Sequence, residues 1–328
     1  MIDKRTDFIS LPLVSVIIIT YNQENTIGQT IDSILSQQCN FQYEIIIGED
    51  CSIDNTRQIC IDYQQRFPEK IKLLLHEKNG GVVKNYVDCV KECSGKYLTA
   101  CAGDDFWHNT YKLSLQVEYM ETHPDCGVLH TDYDELNTFT LKTINSCKSR
   151  MNKEIVEGYC QQEIFNGKLS ITAPTICFRK DLIDKYVDFD KFLELDFPVE
   201  DWPILIILSK YSQVNYLPIS TVTYRKGHES LSNLNGYDKI IAKYKREKVM
   251  YKYLCNLFPK DLPFDENVYD SYVSLILLNL AYKKFDFAIA KNYSKEILRL
   301  GHSSLKVKCA TNILMFYVFA LLKRTKVN

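Results

Sequence analysis

The amino-terminal third of the chain alternates short apolar runs with segments of helical periodicity. Residues 13–20 are rich in β-branched side chains, which is typical of a strand buried on both faces of a parallel sheet. Ile27, Ile31 and Ile34 then recur at helical spacing, and residues 43–48 form a second apolar run. The pattern therefore predicts a strand, a helix and a second strand in succession.

The same alternation continues to residue 107. A helix is predicted from Asp54, a strand at 71–75, a helix at 84–93 and a strand at 96–101. Strands that are separated by helices form βαβ units, whose crossovers are right-handed in almost every case. We therefore expect residues 13–107 to form an open, doubly wound sheet.

Beyond residue 110, the predicted elements are first a mixture of helices and strands and then helices alone. The predicted elements are a helix at 111–122, a strand at 128–133, a polar stretch at 137–153, a strand at 175–178, a helix at 202–211 and a strand at 213–224. After Gly236 all periodicities are helical. We divide the chain into an N-terminal arm (1–12), an α/β domain (13–235) and a C-terminal helical region (236–328).

Composition and charge exclude several classes of protein. The 328 residues are 46% hydrophobic and 25% charged, as in globular proteins. Forty basic residues against forty-one acidic ones give a net charge of −1, so we expect no nucleic-acid partner. The twelve cysteines show no CxxC pair, and the first ten residues do not resemble a secretory signal. We expect reduced cysteines and a cytoplasmic location.

Polar side chains follow three of the predicted strands directly. In open α/β sheets, ligands bind beyond the carboxyl ends of the strands. The three groups should therefore meet at one edge of the sheet. They are Thr20, Tyr21 and Asn22 after the first strand, Glu49 and Asp50 after the second, and Asp104 and Asp105 after the fourth.

The loop after the first strand argues against two ways of binding phosphate. Its sequence, TYNQEN, contains neither GxGxxG nor GxxxxGK[ST], which disfavours dinucleotide oxidoreductases and P-loop kinases. Asp104 and Asp105 offer another way, because carboxylate oxygens suit Mg²⁺ or Mn²⁺. The alternative is that these acids only cap the following helix, and Glu49 and Asp50 could likewise belong to a turn.

Five ordered blocks resemble a known family. SVIIITYNQENTIGQTIDSILSQ, YEIIIGEDCSIDNT, HEKNGGVVKNY and GKYLTACAGDDFW are similar to family 2 glycosyltransferases, as is the later VEDWPILIILSKYSQVNYLPISTVTYRKGHESLS. The blocks cover residues 13 to 232. The resemblance implies a GT-A-like, doubly wound and mostly parallel sheet flanked by helices, followed by a C-terminal helical region. It also implies glycosyl transfer.

The resemblance assigns roles to the strand ends. It implies that Thr20, Tyr21 and Asn22 line the nucleotide pocket and that Asp50 hydrogen-bonds the base. A carboxylate there would accept from the imide N–H of uracil or thymine, which favours a UDP- or dTDP-linked sugar. Asn79 and Lys84 are placed near the donor phosphates, where the family often has Arg in place of Lys84.

The resemblance also supplies a metal site and a base. Asp104 and Asp105 match the metal-binding DxD region, with Asp104 beside the donor, and His228 lies where some members place a metal or phosphate contact. Asp201 matches the catalytic base, and Glu200 is expected to orient Asp201 or the acceptor. The implied cofactor is Mn²⁺ or Mg²⁺.

The predicted function is sugar transfer from a nucleoside-diphosphate sugar to a hydroxyl of a glycan or lipid-linked glycan acceptor in polysaccharide biosynthesis, and the resemblance implies that the transfer proceeds with inversion. One alternative is a nucleotide-sugar-binding module with impaired catalysis, because Ala102 stands where the common DxDD form has an acid. Another is a nucleotidyltransferase, although that class is expected to carry a glycine-rich basic loop after the first strand.

The C-terminal end combines an apolar segment with basic flanks. Residues 309–322 are 14 mostly apolar residues, too few to span a membrane. They form either a terminal helix docked on the protein or an interfacial helix at an anionic membrane surface. The second interpretation would place the enzyme in peripheral contact with the inner face of the cell membrane.

Overall fold

A computed structural model describes residues 12–151, 155–227 and 236–324 of the chain. The chain folds into two compact units, Met1–His228 and Glu229–Asn328. The predicted arm falls almost entirely outside the described residues.

The amino-terminal part of the first unit is the predicted succession of βαβ units. Its elements are β1 (Val14–Thr20), α1 (Ile27–Leu35), β2 (Tyr43–Glu49), α2 (Thr56–Arg66), β3 (Ile71–Leu75), α3 (Val82–Lys91) and β4 (Tyr97–Ala102). The four strands are parallel, in the order β3-β2-β1-β4. Ile18 and Ile45 are fully buried, as is Ile31 of α1, because helices cover this part of the sheet.

The rest of the first unit extends the same sheet. Its elements are β5 (Phe106–Trp107), α4 (Lys112–Thr122), β6 (Cys126–Asn137), β7 (Thr143–Ile144), α5 (Gln161–Phe165), β8 (Ile176–Arg179), α6 (Lys180–Tyr186), α7 (Phe189–Glu194), α8 (Asp201–Tyr211) and β9 (Gln213–Lys226). Strand β8 joins β4 to β6, β9 runs parallel to β6, and β5 closes the order. Most paired residues are parallel, so the predicted fold class is confirmed.

Two parts of this half differ from the sequence prediction. The strand predicted at 128–133 extends over all of β6, because β9 pairs with it as far as Asn137 and Lys226. The polar stretch 137–153 contains β7, whose Ile144 pairs with Glu135. The short elements β5, α5, α6 and α7 were not predicted, since so few residues show no periodicity.

The second unit is helical, as predicted. Its helices are α9 (Tyr237–Leu257), α10 (Glu266–Lys284), α11 (Phe287–Arg299), α12 (Leu305–Cys309) and α13 (Ile313–Arg324). Asp265, Asp286 and Ser304 cap three of them by accepting backbone N–H hydrogen bonds. Within the described residues, none of the helices has both the length and the apolarity needed to cross a bilayer.

Candidate active site

The loops after β1 and β2 hold each other at the edge of the sheet. The side-chain oxygen of Asn22 accepts the N–H of Ile53 at 2.9 Å, and the Ser52 hydroxyl accepts the N–H of Asn22 at 2.9 Å. Asn22 and Cys51 both have left-handed backbone conformations, with φ of 53° and 62°. Such conformations are uncommon outside glycine and cluster at functional sites.

Thr20 and Tyr21 differ in exposure at the end of β1. Thr20 is buried, and its hydroxyl donates to the side-chain oxygen of Gln23 at 2.8 Å. A Cβ at Gly103 would lie 2.7 Å from the Thr20 hydroxyl, so only glycine lets the turn after β4 approach this closely. Tyr21 is 43% exposed, which leaves its ring accessible to a ligand.

Asp50 fastens the turn that precedes α3. Its two carboxylate oxygens accept the backbone N–H groups of Gly80 at 2.8 Å and Gly81 at 2.9 Å. The side chain of Asn79 donates to the Asp50 carbonyl at 3.2 Å. The carboxylate, predicted to contact a base, is therefore already held in place. Asp50 is buried, and each of its carboxylate oxygens keeps a second lone pair.

Lys84 lies in the first turn of α3, which is anchored against β2. The Asn85 side chain donates to the Gly48 carbonyl at 2.8 Å, and a Cβ at Gly48 would lie 1.9 Å from the Asn85 oxygen. The side chain of Lys84 is about half exposed and pairs with Asp88 one helical turn later. The anchored helix thus holds a partly exposed cation at its amino-terminal end.

Asp104 and Asp105 have different surroundings. Asp105 is buried, and its carboxylate accepts the backbone N–H of Arg225 at 2.8 Å. Burial, together with the nearby charge of Asp104, raises the pKa of Asp105 well above its ordinary value. Asp104 is only partly buried, and its carbonyl accepts from the Arg225 guanidinium at 2.5 Å. The carboxylate of Asp104 is the more accessible of the two.

Arg225 is the site residue to which sequence analysis assigned no role. Its backbone N–H contacts Asp105, and its guanidinium contacts Asp104, donates to the Gln29 side chain and lies 4.8 Å from the centre of the Phe106 ring. It therefore ties β9 to the turn after β4 and to α1. The only signal for it in the sequence was the TYRKGHES segment of the last family block.

The turn that carries Asp104 and Asp105, here called the acidic turn, suits a divalent cation that is also bound by substrate phosphates. The described residues contain no group of three His, Cys, Asp or Glu side chains arranged around an ion. Mg²⁺ is commonly held by one or two carboxylates together with substrate phosphates, and the accessible Asp104 fits that arrangement. Asp105 fits as internal support for the turn. His228 lies outside the described residues.

Glu200 and Asp201 stand at the start of α8, as predicted, but the Glu200 side chain makes no capping hydrogen bond. The Asp201 carboxylate accepts the Trp202 N–H at 2.8 Å. Burial and the charge of Asp201 raise the pKa of Glu200 to about 8, and burial raises the pKa of Asp201. Carboxyls with raised pKa values can exchange protons near neutral pH.

Further contacts connect these groups across the first unit. The hydroxyl of Thr26 donates to the Gly103 carbonyl at 2.8 Å, and that of Thr30 donates to the Asp105 carbonyl at 2.6 Å, so α1 holds the acidic turn. Buried Tyr86 of α3 lies within the field of Glu200 and Asp201, whose charges add to burial in raising its pKa. Tyr86 is therefore close enough to the acids of α8 for their charges to act on it.

Two curated relatives are similar to part of the chain. An uncharacterized protein of Mycobacterium tuberculosis is 39% identical over 114 residues, which is 35% of this chain and 33% of the relative. The Escherichia coli UDP-Glc:alpha-D-GlcNAc-diphosphoundecaprenol beta-1,3-glucosyltransferase WfgD is 30% identical over 125 residues, 38% of this chain and 47% of WfgD. The match thus spans between a third and a half of each relative.

Solved structures resemble the whole chain in fold. TarS 1–349 of Staphylococcus aureus, solved in complex with UDP-GlcNAc, has a TM-score of 0.58 at 18% identity, covering 95% of this chain and 92% of TarS. A mannosyltransferase of Pyrobaculum calidifontis, solved with GDP-Man and Mn²⁺, has a TM-score of 0.51 at 12% identity, covering 95% and 87%. At these identities the likeness shows a shared GT-A-type fold.

The sequence itself identifies the family. Residues 15–187 match glycosyl transferase family 2, which is more than half of the chain. This match covers the four parallel strands and the turns that carry Asn22, Asp50, Asp104 and Asp105. The chain therefore belongs to glycosyl transferase family 2 and has a GT-A-type fold.

Proposed function

We propose that this glycosyltransferase moves a sugar from a UDP- or dTDP-linked donor to a hydroxyl of a glycan or lipid-linked glycan acceptor in polysaccharide biosynthesis. The observation that carries the proposal is the joining of the polar strand ends by shared hydrogen bonds, which connect Asn22 with Ser52, Asp50 with Gly80, and Thr30 with Asp105. The complex of TarS with UDP-GlcNAc and the UDP-glucose donor in the name of WfgD support a uridine donor.

Asp50 hydrogen-bonds the pyrimidine base of the donor nucleotide. Its carboxylate is fixed by Gly80 and Gly81 before any ligand arrives, and its remaining lone pairs accept the imide N–H of uracil or thymine. Thr20, Tyr21 and Asn22 line the pocket beside it. Because the acceptor is already oriented, binding a pyrimidine costs little reordering of the protein.

The diphosphate is held by Asn79 and Lys84, and the acidic turn would hold a Mn²⁺ or Mg²⁺ ion beside it. Asp104 supplies the accessible protein carboxylate, Asp105 and Arg225 hold the turn that presents it, and His228 is a further proposed contact to the ion or phosphate. When bound, the ion offsets negative charge on the departing nucleoside diphosphate.

Asp201 takes the proton of the acceptor hydroxyl. As the acceptor oxygen bonds to the anomeric carbon, the bond from that carbon to the diphosphate oxygen breaks, and a single displacement of this kind inverts the configuration. A base with a raised pKa is well matched to this transfer near neutral pH. Glu200, whose pKa is raised to about 8 by burial and by the charge of Asp201, is protonated near neutral pH and orients Asp201 or the acceptor.

A second candidate is a nucleotide-sugar-binding module without efficient catalysis. It is favoured by Ala102, which ends β4 without contributing a carboxylate to the acidic turn. Both candidates share the donor site and differ only in turnover. For the enzyme, we place the reaction in the cytoplasm, with peripheral contact to the inner face of the cell membrane through α13.

The decisive experiment is a thermal-shift panel of UDP-, dTDP- and GDP-sugars with and without Mn²⁺, followed by an assay for hydrolysis or transfer. A donor present at 100 times its Kd stabilises the folded state by about 2.7 kcal/mol. We expect the melting temperature to rise with UDP- or dTDP-sugars in the presence of Mn²⁺. A response to GDP-sugars alone would contradict base reading by Asp50, and binding without turnover would favour the second candidate.

A further inference from the structure

Helix α13 has a docked side and an exposed apolar side. Phe316 is fully buried in the core of the second unit, with its ring centre 4.6 Å from that of Tyr282, and Ala320 is buried one turn later. On other positions of the helix, Leu314, Val318 and Leu321 are 70%, 46% and 57% exposed. Their spacing of four and three residues places them in one stripe, here called the apolar face of α13.

This face is unusual for surface positions of a helix. Ile313, Met315 and Tyr317 flank it and are also exposed, so it is a continuous apolar surface. Contiguous exposed apolar surface of this kind marks a site of interaction with a protein or a membrane. The charge of the surrounding segment decides between these two kinds of partner.

The segment that contains α13 has basic residues on both sides of its apolar stretch. Residues 301–328 include no Asp or Glu and five basic residues, in a chain whose net charge is −1. These are Lys306, Lys308, Lys323, Arg324 and Lys326. A second copy of the chain would bring an identical set of positive charges to the interface, which opposes self-association. An anionic lipid surface complements both the charge and the apolar stripe.

We propose that the apolar face of α13 docks on an anionic lipid bilayer and inserts Leu314, Val318 and Leu321 at the level of the headgroups. The helix lies in the plane of the interface, because its 12 residues are about 18 Å long and the hydrocarbon core is about 30 Å thick. This proposal rests on the proposed function, because it assigns the membrane contact of the enzyme to α13. Lipid binding can be measured without sugar transfer.

The test is sedimentation of the full chain with vesicles of phosphatidylcholine alone or with an equimolar amount of phosphatidylglycerol. We expect binding to the anionic vesicles and a loss on the order of 10–100-fold in the variant Leu314→Gln/Val318→Gln/Leu321→Gln, since three apolar side chains no longer enter the interface. Lys308→Gln should weaken binding about fivefold, and added salt should weaken it further.

A matched control replaces exposed apolar residues on other helices of the same unit, as Val249→Gln/Leu257→Gln/Val268→Gln. It should bind vesicles like the unchanged protein, and both variants should melt at the same temperature. Substitution is a cleaner test than deleting residues 309–328, because the deletion removes the buried side chains of Phe316 and Ala320.

Three outcomes would overturn the inference. They are unchanged vesicle binding by the α13 variant, equal binding to neutral and anionic vesicles, and a dimer in solution that the α13 variant dissociates while neither protein binds vesicles. Failure of donor binding in the thermal-shift panel, with vesicle binding intact, would count against the proposed function and leave the lipid surface standing.

Discussion

The two acidic pairs of the candidate site have different surroundings. Asp104 and Asp105 lie in a turn to which Arg225 donates through both its backbone N–H and its guanidinium. Glu200 and Asp201 lie at a helix start, where burial and their mutual repulsion dominate the pKa of Glu200. Arg225 therefore holds the first pair in position, whereas raised pKa values allow the second pair to exchange a proton.

The difference shows how similar residues suit different chemistry. The contacts of Arg225 with Asp105 and with the Asp104 carbonyl fix the position of the first pair, which is what a metal or phosphate site needs. A buried carboxylate beside another carboxylate has a raised pKa, which is what a base working near neutral pH needs. We therefore assign the leaving group to the first pair and the acceptor proton to the second.

The largest effect is expected when Asp201, the proposed general base of the second pair, is replaced. Asp201→Asn should lower kcat by about 10²–10⁴-fold and leave the donor-induced rise in melting temperature unchanged, since general-base catalysis contributes about that much. The control is Asp188→Asn, which alters the acid that caps α7 by accepting the Lys191 N–H at 3.0 Å. Asparagine caps equally well, so activity should stay. Near-normal turnover in folded Asp201→Asn would remove Asp201 from the mechanism.

The next effect separates the two members of the first pair. Asp104→Asn should weaken Mn²⁺-dependent donor binding at least tenfold, on the order expected when a metal site is impaired, with little change in melting temperature. Asp105→Ala should instead lower the free energy of unfolding by about 1–3 kcal/mol, because the buried N–H of Arg225 loses its acceptor. Calorimetric titration and thermal melts measure the two. Donor binding that EDTA does not alter would contradict the metal site.

Arg225 provides a smaller and more specific test. Arg225→Met should raise the apparent Kd for Mn²⁺ about tenfold while kcat at saturating Mn²⁺ changes less, because the residue positions Asp104 and does not react. Arg225→Lys should restore only part of the affinity, since lysine lacks the planar fork. Lys226→Met, which removes an exposed pair with Glu135, should have no effect. Equal losses in all three variants would refute a positioning role.

The smallest effect concerns pH. The folded protein keeps a proton on Glu200 up to about pH 8, whereas the unfolded chain loses it near 4.5, so this residue lowers the free energy of unfolding as pH rises between those values. Glu200→Gln should therefore raise the melting temperature at pH 8, and the gain should shrink towards pH 5. The acid limb of the kcat profile should stay where it is, because Glu200 carries no charge below about pH 8. An acid limb that moves to lower pH would show that Glu200 is ionised where Asp201 titrates.

Much of the parallel half of the sheet could be predicted from the sequence. Its strands are continuous apolar runs and α1 has regular isoleucine spacing, and both signals lie within a short window of sequence. The polar residues at the strand ends followed from the same pattern, because parallel strands end at one edge. The strand β7 escaped prediction, since it is two residues long and forms by pairing with β6.

The roles of individual side chains depended on contacts between distant parts of the chain. Arg225 lies 120 residues from Asp105, and no local pattern indicates that they meet. The sequence likewise placed Asp50 at a strand end, but only the structure showed that Gly80 and Gly81 occupy one lone pair on each of its oxygens.

The amino-acid sequence by itself determined the periodic elements, the family, the acidic pairs and the apolar, basic character of the C-terminal segment. Only the tertiary structure decided which acid of each pair is buried, which arginine supports the acidic turn, and that Phe316 packs inward while Leu314 faces solvent. The physical reason is the distance along the chain between the residues that determine each property. Periodicity is set by neighbours along the chain, whereas burial, pKa and exposure are set by groups that folding brings together from far apart.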